Sequence, residues 1–382
     1  MECINNSEQL LAACTALAKH DYVTVDTEFL REQTFWPHLC LIQLAGPNHE
    51  FLIDPLAKGI KLDAFYDLMA DLDTVKVFHS GRQDIEIIFN KAGLIPTPLF
   101  DTQIAAMVCG FGESVSYVNL VKKILGIDLD KGARFSDWSS RPLSNKQLAY
   151  AIADVTHLRD IYVFLLNELH VSGRSEWLLE EMSTLSSAET YHTSPRNAWK
   201  RLKMRVKNKV SLAILIELAA WRETVAQSQD LPRNRILRDE ALYDIANQAP
   251  TTVEKLGRLR SLSQGFSRSI KAKEIIEVVK RGQLQPLNKI PPLPNGRQLS
   301  AEASALIDLL KVLLRANAAR HRVAPRLIAD NNDLEAIAME EKPDIPALRG
   351  WRNELFGIDA LKLRDGTTAL TVEKGRVVTI KL

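Results

Sequence analysis

A chain of 382 residues, 46% hydrophobic and 25% charged, has the composition of a globular protein but exceeds one ordinary domain, so about two or three domains are expected. No apolar run approaches the roughly 18 residues that span a bilayer. The start of the chain carries Glu2 and Glu8 ahead of its apolar residues and does not read as a secretory leader, so a cytoplasmic protein without a membrane partner is expected, with a monomer as the default. Cys3, Cys14, Cys40 and Cys109 are scattered without CxxC spacing, as reduced cytosolic thiols are. The net charge of +2 conceals an asymmetry. Residues 1–190 hold 15 Lys and Arg against 26 Asp and Glu, a net of −11, whereas residues 191–382 hold 34 against 21, a net of +13. Clustered acids suit metal ions, and a basic half suits a polyanion.

Short β-branched and apolar runs predict strands over Tyr22–Phe29, Leu39–Ala45, Glu50–Asp54 and Val75–His79, with a helix over Leu62–Asp71 before the last of them. That order predicts an α/β domain with a mixed sheet. Ser80–Gly93 reads as a helix, with a Ser80/Gln83 capping box, an apolar stripe of Ile85, Ile88 and Phe89, and Gly93 as its C-cap. Asp101 reads as the N-cap of a following helix. Another helix starts at Ser144, where Ser144 and Gln147 repeat the capping-box spacing, and Leu148, Ile152, Val155 and Tyr162 make its buried stripe.

Beyond about residue 190 helical patterns dominate until Val372, Val377, Val378 and Ile380, which predict a short hairpin or an extended tail. The stretch from Leu231 to Ala246 is repeated from Val323 to Ala338: Ile236, Leu242, Ile245 and Ala246 recur as Ile328, Leu334, Ile337 and Ala338, an offset of 92, and Pro232 and Pro325 match with a one-residue slip. Each copy follows an apolar helix, Leu212–Val225 or Leu306–Leu314, so two copies of one helical module are expected. Pro291, Pro292 and Pro294 mark the linker between them.

Asp26 and Glu28 are two apart in an apolar strand, so both project from one face about 7 Å apart. Adjacent carboxylates repel and lose hydration, which a hard divalent cation relieves; a solvated strand end is the plainer reading of that pair alone. Asp84 stands in the first turn of its helix, where the helix dipole also favours an acid. Tyr150 and Asp154 are four apart and share a helix face, with His157 further along the same side.

Together these residues resemble the DEDD exonuclease superfamily, in its tyrosine-bearing branch. The three motifs are Val25-Asp26-Thr27-Glu28-Phe29, His79-Ser80-Gly81-Arg82-Gln83-Asp84 and Tyr150-Ala151-Ile152-Ala153-Asp154. The helical repeats resemble HRDC domains, the second copy less closely, and the whole order is similar to the bacterial ribonuclease D family. The resemblance implies an RNase H-like exonuclease domain with a mixed sheet over residues 1–170 and a basic helical connector over 171–209. It further implies an HRDC domain over 210–288, a Pro-rich linker over 289–299 and a second all-α HRDC-like domain over 300–382.

It implies that Asp26, Glu28, Asp84 and Asp154 hold two divalent ions, Mg²⁺ or Mn²⁺, and that Tyr150 orients the attacking water. Two such ions supply the hydroxide, neutralise the phosphoryl oxygens and help the leaving 3′-oxygen. The implied reaction removes 3′-terminal nucleotides as nucleoside 5′-monophosphates from RNA, with transfer-RNA precursors and other small structured RNAs as substrates.

Phe29, Phe35 and Trp36 flank the first motif and stack on terminal bases or pack the core. His79 reads as a core histidine, since hard metals favour oxygen. Arg196, Lys200, Arg201, Lys203, Arg205, Lys207 and Lys209 form an acid-free run suited to phosphates. The alternatives are a DNA 3′-to-5′ exonuclease and, in a different class, a non-catalytic RNA-binding scaffold. The chain has no Gly-Lys dipeptide, so it lacks the phosphate loop of an ATPase.

Overall fold

The computed structural model describes residues 3–382 apart from 131, 134, 135, 193, 204, 264 and 294–298. Pro294 of the linker therefore lies outside the described residues. The chain forms two compact units: Met1–Glu28, Leu39–Thr190 and Gln298–Leu382 make the first, and Phe29–His38 with Tyr191–Arg297 make the second.

The first unit is built on a sheet of β1 (Tyr22–Leu30), β2 (His38–Gly46), β3 (His49–Ile53), β4 (Val75–Phe78) and β5 (Leu99–Asp101) in the order β3-β2-β1-β4-β5. β2 and β3 pair antiparallel, whereas β1 with β4 and β4 with β5 pair parallel, so the sheet is mixed as expected. All but the first residue of β2 are buried, as in a strand covered on both faces. The strand missed in the sequence, β5, is three residues long. Its helices are α1 (Ser7–Leu17), α2 (Asp63–Ala70), α3 (Arg82–Ala92), α4 (Thr102–Val108), α5 (Tyr117–Leu125), α6 (Asn145–Ser172) and α7 (Ser175–Leu185).

Two helix readings need correction. The Ser80/Gln83 capping box does not form: Gly81 is the N-cap of α3, without a side-chain bond, and Ser80 takes a left-handed φ of 59°. A carboxylate from elsewhere does the capping, since Asp101 accepts from the amides of Ser80 (3.2 Å) and Gly81 (2.8 Å). A Cβ at residue 81 would meet Phe78 at 2.5 Å, so this tight turn requires glycine. On α6 the Ser144/Gln147 capping box does form, but Leu148 and Ile152 are only half-buried. The buried stripe is Ala151, Val155, Leu158, Tyr162, Leu165 and Leu169. On this face Thr24 of β1 donates its hydroxyl to the Val155 carbonyl at 2.8 Å.

The C-terminal segment of this unit shares the hydrophobic core of the α/β domain. Val77, Leu158, Ile161 and Leu165 belong to one cluster with Leu310, Leu313, Ile337 and Phe356. Residues 300–382 are thus packed with the sheet-bearing domain rather than set apart from it. The chain ends in a hairpin of β6 (Thr368–Glu373) and β7 (Arg376–Lys381), the first of the two expected forms.

In the second unit, helix Lys209–Gln229 ends at Asp230 in the left-handed region, φ 48°, followed by helices Arg233–Ile236 and Asp239–Gln248. The same geometry returns 92 residues later: helix Ala301–His321, Arg322 at φ 49°, and helices Pro325–Ile328 and Asn331–Met339. The core of the second unit gathers Leu215, Leu218, Leu242, Ile245, Ile275 and Val279. Phe35 is buried with Ala226 and Ile236 in a further cluster of that unit.

Candidate active site

Asp26 and Glu28 lie on β1, Asp84 in the first turn of α3, and Tyr150 and Asp154 on α6. Carboxylate oxygens of Asp26, Glu28 and Asp154 lie within 4.8 Å of one another. Asp84 is buried and joins the group through Thr27, whose hydroxyl donates to its carboxylate. All five residues named from the motifs therefore meet at one place on the first unit.

The electrostatics follow from crowding like charges out of water. Burial, reinforced by the charges of Asp84, Asp154 and Glu28, holds Asp26 well above the ordinary carboxylate range. Burial pushes Asp84 up to about 6, although the Thr27 hydroxyl opposes it. Burial and the charges of Asp154, Glu28 and Asp26 drive the Tyr150 phenol upward from its ordinary value. Tyr150 is thus held as a neutral hydroxyl. Oxygen donors this close, each costly to ionise together, fit a hard divalent cation.

A cavity of about 360 Å³ opens beside Asp26, Tyr150 and Asp154 and is also lined by His79, Gln103, Ser114 and Tyr117. A smaller one, about 160 Å³, adjoins Tyr150 and Asp154 and includes Lys146 and Leu129 in its wall. Tyr117 donates its hydroxyl to the Ala153 carbonyl at 2.9 Å, and burial beside Asp154 and Asp26 raises its phenol. His79 Nδ1 and the Thr102 hydroxyl are hydrogen-bonded at 2.9 Å, and that hydroxyl lies 3.0 Å from the Phe78 carbonyl. Burial, against the pull of Asp101, lowers the pKa of this histidine, which is a neutral wall residue.

Sequence reading missed the roles of Thr27, Gln103 and Tyr117. Thr27 was legible only as the spacer between two acids. Asp101 was read as an N-cap, and it is one, accepting from Gln103 and Ile104; its grip on Ser80 and Gly81 was not visible. The other candidates stand elsewhere. Phe29 is half-buried, and Trp36 packs edge-to-face on buried Phe35 at 4.7 Å. Arg196, Lys200, Lys203 and Arg205 are exposed on the second unit, and Arg201 bonds the buried carboxylate of Glu223 at 3.2 Å.

A mixed sheet that presents clustered carboxylates from one strand and two helices defines a 3′-5′ exonuclease domain, and residues 1–170 match that family; residues 211–279 match the HRDC domain family. The whole chain is 49% identical over 381 residues to ribonuclease D of Nitrobacter hamburgensis, covering 100% of both. It is 48% identical to ribonuclease D of Jannaschia sp., covering 99% of this chain and 98% of the relative. The crystal structure of Escherichia coli RNase D, an exoribonuclease involved in structured RNA processing, superposes with a TM-score of 0.82 at 29% identity over 96% of this chain and 98% of that one. The chain belongs to the ribonuclease D family: it is a hydrolytic 3′-to-5′ exoribonuclease, of a class that uses divalent metals. Among the described residues no helix is long and apolar enough to cross a membrane.

Proposed function

We propose that the chain trims transfer-RNA precursors and other small structured RNAs from the 3′ end, releasing nucleoside 5′-monophosphates, with Asp26, Glu28, Asp84 and Asp154 as ligands of two divalent ions, Mg²⁺ or Mn²⁺. The observation that carries this reading is the set of three carboxylates within 4.8 Å, with Asp84 tied to them through Thr27. When bound, such ions lower the pKa of water and neutralise charge on the phosphodiester. The protein's own groups do the rest. Tyr150, kept protonated by burial and by the acids around it, donates or accepts a hydrogen bond that orients the attacking water. The cavity beside Asp26 receives the terminal nucleotide and limits water around it.

The basic half holds the rest of the strand. The exposed Arg196, Lys200, Lys203 and Arg205 contact phosphates, with Phe29 and Trp36 as secondary stacking candidates. The domain bounds are those expected from the sequence, with the C-terminal helices as a second HRDC-like module, which the recurrence of geometry at an offset of 92 supports. The working form is a cytoplasmic monomer. A time course on 3′-tailed RNA and on matching DNA, with Mg²⁺, Mn²⁺ or EDTA, tests the reading. Nucleotide release that persists in EDTA, or an Asp26→Asn enzyme with full rate, would overturn it.

A further inference from the structure

The second unit contains a cavity of about 310 Å³ whose wall includes Arg31, Arg201, Arg222, Arg233, Asn234 and Asp239. Its volume falls within the range of ligand pockets. The carboxylates paired with these arginines are already committed. Glu223, 1% exposed in its side chain, takes a bidentate bond from Arg233, 2.6 Å through each contact, and a further one from Arg201 at 3.2 Å. Asp239 accepts from Arg222 at 2.6 Å. Three guanidinium groups, those of Arg201, Arg222 and Arg233, thus share two carboxylates, and this cluster carries an excess of positive charge.

Arg222 sharpens the point. It is 5% exposed, is fixed by the Leu237 carbonyl at 2.9 Å, and keeps an Nε without a hydrogen-bond partner among the described residues. A buried donor left unmatched costs about 1–3 kcal/mol, which an anion in the cavity offsets. Arg233 is braced by Phe35, its guanidinium 4.5 Å from the ring centroid. The cluster is therefore held in place before any ligand arrives.

We propose that this cavity is a phosphate subsite for the RNA backbone, binding one phosphodiester of the substrate strand through Arg31, Arg222 and Asn234. The proposal rests on the reading of the basic half as the part that holds RNA. Backbone phosphate is favoured over a free small anion because Arg201, in the cavity wall, belongs to the basic run that extends from Arg196 to Lys209, so the cavity adjoins a stretch suited to a chain of phosphates.

The test uses the full-length protein and a labelled single-stranded RNA in EDTA, with affinity measured across a salt series for Arg31→Gln and for Asn234→Asp. Asn234 is exposed, and its replacement is close to isosteric, so that variant keeps the test valid if Arg31→Gln fails to fold. Each variant is expected to weaken binding several-fold, and Arg31→Gln, which removes one cationic contact, to reduce the log–log salt slope by about 0.7. Unchanged affinity and slope in both, with native melting, would overturn the subsite. Saturable binding of inorganic phosphate that Asn234→Asp removes, with RNA affinity unaltered, would assign the cavity to a small anion and also overturn it. Arg196→Gln with Lys200→Gln separates the two readings. If that pair weakens RNA binding while the cavity variants do not, only the subsite falls; if none of them matters, the RNA-holding role of the basic half falls with it.

Discussion

Thr27, the residue between the two carboxylates of β1, donates its hydroxyl to the carboxylate of Asp84 at the start of α3. The bond joins a strand to a helix 57 residues away and restrains the Asp84 carboxylate. Outer-shell partners of metal-binding carboxylates matter about 10–100-fold in affinity or activity. Thr27→Val is therefore expected to raise the Mn²⁺ or Mg²⁺ concentration needed for half-maximal rate by about that factor, while Thr27→Ser restores it. Metal titration of initial rates checks this; a Thr27→Val enzyme with an unchanged metal requirement would contradict the positioning role.

The same crowding sets a pH dependence for the metal-free protein. Asp84 titrates at about 6 in the fold against 3.8 for an ordinary aspartate. Between those values the folded chain holds a proton that the unfolded chain has released, so this contribution to stability is present below about pH 4 and is lost as pH rises through 6. Asp26 is raised too and acts in the same direction. The loss from Asp84 is on the order of 2–3 kcal/mol near neutrality. Asp84→Asn should raise the melting temperature in EDTA at about pH 7 while sharply lowering nuclease activity, and Mg²⁺ or Mn²⁺ should raise that of the parent protein. Thermal melts across pH, with and without metal, read out all three.

Tyr150→Phe keeps the ring and removes only the hydroxyl. Because burial and neighbouring acids keep that hydroxyl protonated, its loss should remove water positioning without removing a titrating base. A fall of about a hundredfold or more in kcat is expected, with little change in KM and no alkaline shift in the pH profile. Steady-state kinetics across pH distinguish this from a tyrosinate base, whose removal would abolish an alkaline activity limb.

The parts of this molecule legible in the sequence are those specified by short-range pattern. The run Val23-Thr24-Val25 announces β1, the Ser144/Gln147 spacing announces α6, and the acids of the site follow from where those elements begin and end. The parts that escaped depend on partners far away in the chain. Three residues, Leu99–Asp101, are a strand only because β4 pairs with them. Ser80 is not the cap because it sits in the left-handed region, φ 59°, and Asp101, 21 residues on, holds its amide and that of Gly81. The stripe on α6 runs through Ala151 and Val155, and Val155 meets Thr24, a residue 131 positions away. Propensity sees none of these, since each is decided by tertiary contact.

The C-terminal module yields the last prediction. Arg352, 8% exposed, donates to Glu180 at 2.5 Å, to Glu181 and to the Leu327 carbonyl at 2.8 Å, beside Trp351 stacked on Trp177 with ring centroids 4.4 Å apart. Nearby, Gly110 with φ 82° lies so close that a Cβ would meet the Arg322 carbonyl at 2.4 Å, and the amide of Ala324 donates to the Met107 carbonyl at 2.9 Å. Helices of the α/β domain and of residues 300–382 thus share one core, and cutting the module away would expose buried α6 side chains of that core, Ile161, Leu165 and Leu169 among them, to water. Arg352→Ala leaves two carboxylates without their cation and should destabilise the first unit by about 2–3 kcal/mol, less than the roughly 3–5 kcal/mol of a fully buried pair because Glu180 is half-exposed. Its melting transition should stay single, because one core spans both parts. Truncation after residue 297 should do more: it should abolish nuclease activity through aggregation or unfolding, not through weakened RNA binding. Size-exclusion chromatography and activity of the truncated chain decide the matter. A soluble, monomeric and fully active truncation would show that the module is an independent appendage, and the shared core would then carry no functional weight.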